Sequence, residues 1–411
     1  MKKHILPALI IITFLLNYAK ANEISLHGFG LVTYSGRTKT TDEKRDLILG
    51  EERLRLNLSG ASEAGNAGFN AKADFIHDGI NNETKVDLRE AYVDLIEKNY
   101  DVRIGRQVIT WGLGDLLFIN DIFPKDWNAF YAGRDMEYLK LGAEAVKLGI
   151  YPKFASMELV VLPAFQADEM PSPDKFIFND PFAGMNNKSI IRPDKKIRDM
   201  ELASRIYRRI GSGDMSIYAY KGFYHTPKVN IYDSLSVNYF YPKLNAYGAS
   251  CQLNGLGGVI SVEGGYYDSR YDKNGENFFI DNSKYKALLG YGRQITNQLH
   301  LGLQYYNEIT RDYNKYKENL PQGFPREEKT KQILTLRLTQ FLKYESWKLS
   351  LFTFYGIDEK DSMLIPEAMY KFSDELALTI GGNIIDGDKE WTTFGQFKEN
   401  DNVYMRMKYD Y

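Results

Sequence analysis

The sequence predicts an all-β protein, a transmembrane antiparallel β-barrel of about eighteen strands, with sixteen as the alternative. Three observations carry that expectation. Val403 to Tyr411 alternates without a break, placing Val403, Met405, Met407, Tyr409 and Tyr411 on one face and Arg406, Lys408 and Asp410 on the other. Short alternating runs of the same kind recur along the chain, and the links between them alternate between tight and long. Beyond the N-terminal region no stretch approaches the roughly 18 uninterrupted apolar residues of a membrane-spanning helix. An integral protein of this texture must therefore satisfy its backbone between strands, in a closed barrel.

Taken in order, the chain opens with basic Met1-Lys2-Lys3-His4, a mainly apolar run from Ile5 to Leu16, and the small residues of Ala19-Lys20-Ala21. That pattern predicts a secretory signal peptide over 1–21 and a barrel over 22–411. Strands are expected near 23–35, 51–59, 67–77, 86–97, 100–111, 140–151, 155–163, 200–211 and 213–225. Nine more follow near 242–253, 257–268, 283–294, 297–309, 331–342, 345–357, 362–372, 375–386 and 402–411. Gly211-Ser212-Gly213-Asp214 and Glu97-Lys98-Asn99-Tyr100 are tight turns, whereas Gly112–Leu139 and Ala164–Asp199 are long polar links. This alternation is that of an up-and-down barrel with short turns at one end and long loops at the other. Pro366 disturbs the sixteenth run, since proline cannot donate to a ladder, so either a bulge or the smaller strand count is expected there. Gly105 breaks phase in the fifth run, which leaves open whether Arg106 or Gln107 faces inward. The terminal alternating strand, ending on the aromatic Tyr411, resembles the signal by which the barrel-assembly machinery recognises outer-membrane proteins.

Composition agrees. Tyr 30, Phe 23 and Trp 4 are a heavy aromatic load for a chain of negative mean hydropathy, as the two aromatic girdles of a membrane barrel require. The formal charge is −2, and loss of a basic leader makes it more negative, so there is no basic excess for nucleic acid. One cysteine, Cys251, excludes an intramolecular disulfide.

Gly105-Arg106-Gln107 followed by Trp111-Gly112 resembles a segment of porin-like barrels of Gram-negative bacteria, the eighteen-stranded alginate-export type among them. The resemblance covers roughly residues 86 to 150. It implies a channel and a pore-facing Arg106. The third long loop after it, Leu113 to Tyr138, sets Asp115, Asp121, Asp126, Asp135 and Glu137 among Phe118, Phe123, Trp127, Phe130 and Tyr131. Aromatic residues are poorly placed in water, so this loop is expected to fold inward and narrow the pore, with Asp115, Asp121, Asp126, Trp127 and Asp135 at the constriction.

Strand parity, with apolar faces towards lipid, turns Arg53, Arg55, Arg103, Arg205, Arg209, Arg337 and Arg406 inward beside Lys72, Lys348 and Lys408. Asp74, Glu90, Asp94, Glu201, Glu263 and Glu308 share that face, so the basic set is the larger and a modest anion preference is expected. His27, His77, His225 and His300 show no metal-ligand spacing, and no phosphate loop or nucleophile elbow occurs. The sequence thus points away from catalysis, cofactor and metal. It points to an outer-membrane channel for small hydrophilic, possibly anionic, solutes, in contact with lipid and lipopolysaccharide. A surface receptor or adhesin is the alternative, with a barrel enzyme acting on lipid or polysaccharide behind it.

Overall fold

The computed structural model describes residues 21–40, 46–180, 182–185, 187–231 and 236–411. The expected signal peptide lies outside them apart from Ala21, where the first strand begins. Barrel strands are β1 (Ala21–Arg37), β2 (Leu47–Ser62), β3 (Ala67–Asp78), β4 (Glu83–Ile96), β5 (Tyr100–Gln107), β6 (Ala143–Ile150) and β7 (Ser156–Leu162). The strand β8 (Asn187–Ile191) lies in a loop and is followed by β9 (Glu201–Ile210) and β10 (Gly213–Phe223). Two more loop strands, β11 (Lys228–Ile231) and β12 (Ser236–Phe240), precede β13 (Lys243–Gly255), β14 (Gly258–Ser269) and β15 (Lys284–Gln294). The wall is completed by β16 (Leu299–Thr310), β17 (Thr330–Leu342), β18 (Trp347–Gly356), β19 (Asp361–Lys371), β20 (Leu376–Gly387) and β21 (Asn402–Asp410).

Eighteen of these strands form one antiparallel sheet, every one paired with its successor in the wall. The last returns to the first, Phe29 opposite Asp410 and Arg37 opposite Asn402, so the sheet has no free edge. The register follows the pleat. On β2 the side chains of Arg53 and Arg55 are buried inside the barrel, while Leu54 between them is exposed on the outer face, as is Phe75, its partner on β3. Among the described residues no helix is long and apolar enough to cross a membrane.

All eighteen expected runs are strands. Pro366 neither bulges the wall nor removes a strand. The β19–β20 ladder opens at Ile365 and Pro366 and resumes in the same register, from Leu364 opposite Ile384 to Glu367 opposite Gly381. Gly105 is not a bulge either, since β5 runs in continuous register with β4 and β6. Its φ is +128°, and a Cβ there would lie 2.2 Å from the Ala91 carbonyl oxygen, so only glycine fits. The bulge sits one strand earlier. Lys72 faces Glu90 and Ala73 faces Leu88, leaving Arg89 as the extra residue on β4.

The fifth and sixth strands are shorter than their sequence patterns suggest. The chain leaves the wall at Val108 and rejoins it at Ala143, because Ile109 and Trp111 are buried against Phe123, Ala145 and Val160 inside the barrel. Two of the long links also hold structure that their polar composition conceals. The loop strands β11, β12 and β8 make a three-stranded sheet at the loop end, with β12 parallel to β8.

Candidate functional site: a loop fastened across the lumen

The connection from Val108 to Gly142 is the third at the loop end, and it folds into the barrel. Its one full turn of α-helix, Trp127–Ala132, starts at Asp126, whose carboxylate accepts the Ala129 N–H at 3.0 Å. The helix stops at Gly133, φ +80°, where a Cβ would strike the Tyr404 ring at 2.2 Å. Asp135 caps the following 3₁₀ turn, Met136–Leu139, by accepting the Glu137 N–H at 3.1 Å. Asp126 and Asp135 thus shape the loop itself.

Three sets of contacts hold the loop to the wall. The first is an ionic lattice on β2 and β3. Arg53 pairs with Asp74 at 2.7 Å and Glu51 at 3.1 Å, and Arg55 pairs with Asp74 at 2.6 Å and with Glu137 of the loop at 2.8 Å. Arg134 of the loop bridges Glu51 and Asp126. The Tyr138 ring lies beneath Arg53, with 4.2 Å from guanidinium carbon to ring centroid, and close to Arg55 and Arg89. Arg89, aimed inward by the bulge, donates to the Glu137 and Lys140 carbonyls at 3.0 Å each.

The second set is on the far wall. Glu263 of β14, 1% exposed, accepts the N–H groups of Leu113, Gly114 and Asn120 at 2.6, 3.1 and 2.8 Å, and the Asn120 amide at 2.9 Å. Gln304 of β16 both accepts from the Asp115 N–H at 2.7 Å and donates to its carbonyl at 2.9 Å. Arg337 of β17 grips the Asp115 carboxylate with two nitrogens, at 2.6 and 2.7 Å. Tyr267 donates to the Ile119 carbonyl at 2.5 Å.

The third set is apolar. Leu117, Ile119, Phe130 and Tyr131 of the loop join Leu288, Tyr306, Ile333, Phe352, Phe354, Met363 and Ile385 in one buried cluster. Phe130 meets Phe354 edge to face at 5.8 Å. The inner face of β15–β20 therefore carries an apolar band where it receives the loop, with polar residues on either side of it, Lys284, Lys286 and Glu308 towards the loop end among them. Alternation alone had suggested a uniformly polar lumen.

The remaining residues sit apart. Asp121 is buried between Lys125 at 3.1 Å and Lys140 at 2.8 Å, and the Trp127 indole donates to Asp168 at 3.1 Å. Arg103 pairs with Asp94 at 2.7 Å, Arg205 lies 3.8 Å from Glu158 and bonds Ser216, and Arg406 pairs with Glu367. Arg209 is exposed on the parity of Arg205, near the turn end. Arg106 shares its face with Glu144, 3.9 Å away, and by register with Ile104 and Val146, the outward-facing set; it donates to the Leu88 carbonyl. Gln107, 1% exposed, takes the inward position. The parity of the register thus places Gln107 inward at the position where the sequence had left two candidates.

One further cluster fastens the fifth loop. His225, buried, lies 3.4 Å from Glu201 and 2.6 Å from the Gln166 carbonyl, while Tyr220 donates to the same carboxylate. Burial opposes charging of the imidazole. The Glu201 carboxylate, then Asp168 and the Gln166 carbonyl, outweigh it and hold the His225 pKa above its ordinary 6.5.

A closed barrel of eighteen antiparallel strands with a long loop folded inside is the architecture of porin folds. The chain belongs to the family described as protein of unknown function (DUF1302), whose model matches residues 62–410. The expected likeness to alginate-export porins has no counterpart in that match. Among solved structures, two mutants of Rhodopseudomonas blastica porin are similar at 12% identity and a TM-score of 0.44, over 95% of this chain and 100% of theirs. No protein of curated function matches the sequence.

Proposed function

We propose that this protein is an outer-membrane channel of porin type, passing small hydrophilic solutes with a modest preference for anions. One observation carries the reading: inside a closed barrel, the loop from Val108 to Gly142 is tied to facing walls through Glu51, Arg55, Glu263 and Arg337. A segment held on both sides narrows a lumen without being free to swing out of it, and the narrowest cross-section sets conductance. In this reading the barrel inserts through its assembly machinery, with lipid and lipopolysaccharide around it.

Single-channel recording in planar bilayers is the test, with discrete, ohmic openings expected. A second reading, a plugged receptor, is favoured by the apolar packing of the loop against β15–β20, and a folded barrel that never conducts would establish it over the channel. For selectivity, Arg205 and Arg209 are the arginines of the turn-end lining with the loosest pairing, whereas Arg53 and Arg55 are spent on the loop. Arg205→Gln with Arg209→Gln should shift the reversal potential in a salt gradient towards cations. An unchanged potential would remove these residues from the selectivity lining.

A further inference from the structure

We propose that the cavity between the inward loop and strands β13–β15 binds a small organic anion, a carboxylate carried on a flat apolar ring. The proposal rests on the channel reading and names a solute class for that lumen. The cavity holds about 220 Å³, and an apolar cavity of about 150 Å³ is enough for a benzene ring. Its apolar wall is mainly aromatic, with Phe118, Phe123 and Trp127 from the loop and Tyr267 from β14, beside the aliphatic Ile122 and Leu244.

The charges decide the sign of the ligand. Among the described residues the ion pairs of Lys228, Lys284 and Lys286 within 4 Å are to Asp281 and Glu308: Lys228 is 2.5 Å and Lys284 3.4 Å from Asp281, and Glu308 takes Lys284 at 2.9 Å and Lys286 at 3.5 Å. Lys286 has no carboxylate of its own, since Glu308 lies nearer to Lys284. Lys286 has the loosest pairing, and its Nζ lies 3.9 Å from the Tyr267 ring centroid. Glu308 also accepts from the Tyr306 hydroxyl at 2.7 Å, which further divides its charge.

The other carboxylates in the wall are committed. Asp168 accepts the Lys125 N–H at 2.9 Å and the Trp127 indole at 3.1 Å, and Asp121 is held between two lysines. A cationic ligand would find no free carboxylate and would face the lysines. A carboxylate ligand would give Lys286 a partner of its own. The ring would then lie on the aromatic side of the cavity.

The experiment is calorimetric titration of the detergent-folded protein with benzoate, benzylamine and acetate. Saturable binding of benzoate is expected, with benzylamine and acetate at least about tenfold weaker. Lys286→Gln, checked for folding by heat-modifiable gel mobility, should weaken benzoate by about tenfold or more. No saturable benzoate binding, equal binding of benzylamine, or unchanged affinity in folded Lys286→Gln would overturn the site. If that variant does not fold, the comparison of the three probes on the unaltered protein decides. Because binding is read at equilibrium in micelles, a conducting channel that ignores benzoate overturns this site alone, and benzoate binding by a non-conducting barrel overturns the channel reading alone.

Discussion

Glu263 shows how much one side chain can hold. Its buried carboxylate satisfies four donors of the inward loop, three of them backbone N–H groups. Leaving such donors unpaired costs on the order of 1–3 kcal/mol each, so Glu263→Ala should free the first third of the loop. The expected outcome is a larger, noisier single-channel conductance at unchanged membrane insertion; identical traces would show that the remaining contacts hold the loop without Glu263. His225 gives a pH dependence at the same scale. Its pKa is raised on folding, so its contribution to stability is complete below the unfolded value of 6.5 and is lost as pH rises through the folded value. The thermal midpoint of the parent protein should therefore fall as pH rises above 6.5 and through the folded value, and stay flatter in His225→Gln. An equal slope in both would exclude this contact as the source. The inward parity of Glu263 could be read from its strand, but its partners could not, because they lie 143 to 150 residues away and no local pattern marks them.

At the scale of elements, the strands were legible and the long links were not. Each wall strand turns one face to the lumen and the other outward, so period two is written into its residues, as in Leu54 between Arg53 and Arg55. The loop from Val108 to Gly142 obeys no period. Its inward fold was readable only as an excess of aromatics that needed cover. The seat for those aromatics, Phe352, Phe354 and Met363, was concealed because an apolar inner face beside an apolar outer face removes the alternation that identifies sides. Arg106 illustrates the same limit, since Gly105 obscured which of two neighbours faces inward. Deleting Ile119 to Gly133 should raise conductance by removing the helix together with its capping residue Asp126. Equal conductance of deleted and intact proteins, both inserted, would mean that the narrowest point lies elsewhere.

The whole molecule depends on closure. β21 pairs with β1 from Phe29 to Arg37, and Tyr411 continues beyond the strand, its N–H and carbonyl exchanging hydrogen bonds with Gly28 at 3.0 and 3.2 Å. The Tyr411 hydroxyl also reaches the Arg55 carbonyl at 3.1 Å. Removing Tyr409 to Tyr411 would shorten the seam and expose ladder groups where lipid offers no partner. Loss of insertion is expected. Normal surface levels and heat-modifiable mobility of the truncated chain would show that the remaining pairs suffice.

The loop's far anchors carry a consequence for the order of folding. Asp115 is separated from Gln304 by 189 residues and from Arg337 by 222, so its grips cannot form until the strands from β14 to β17 have taken their places. Contacts this distant in sequence are made late. The expectation is that the loop is seated only after those strands are in place. In refolding into micelles, the far-ultraviolet strand signal should reach its plateau before the fluorescence of a variant retaining only Trp127 reports burial of that ring. Simultaneous plateaus would mean that loop and wall form together.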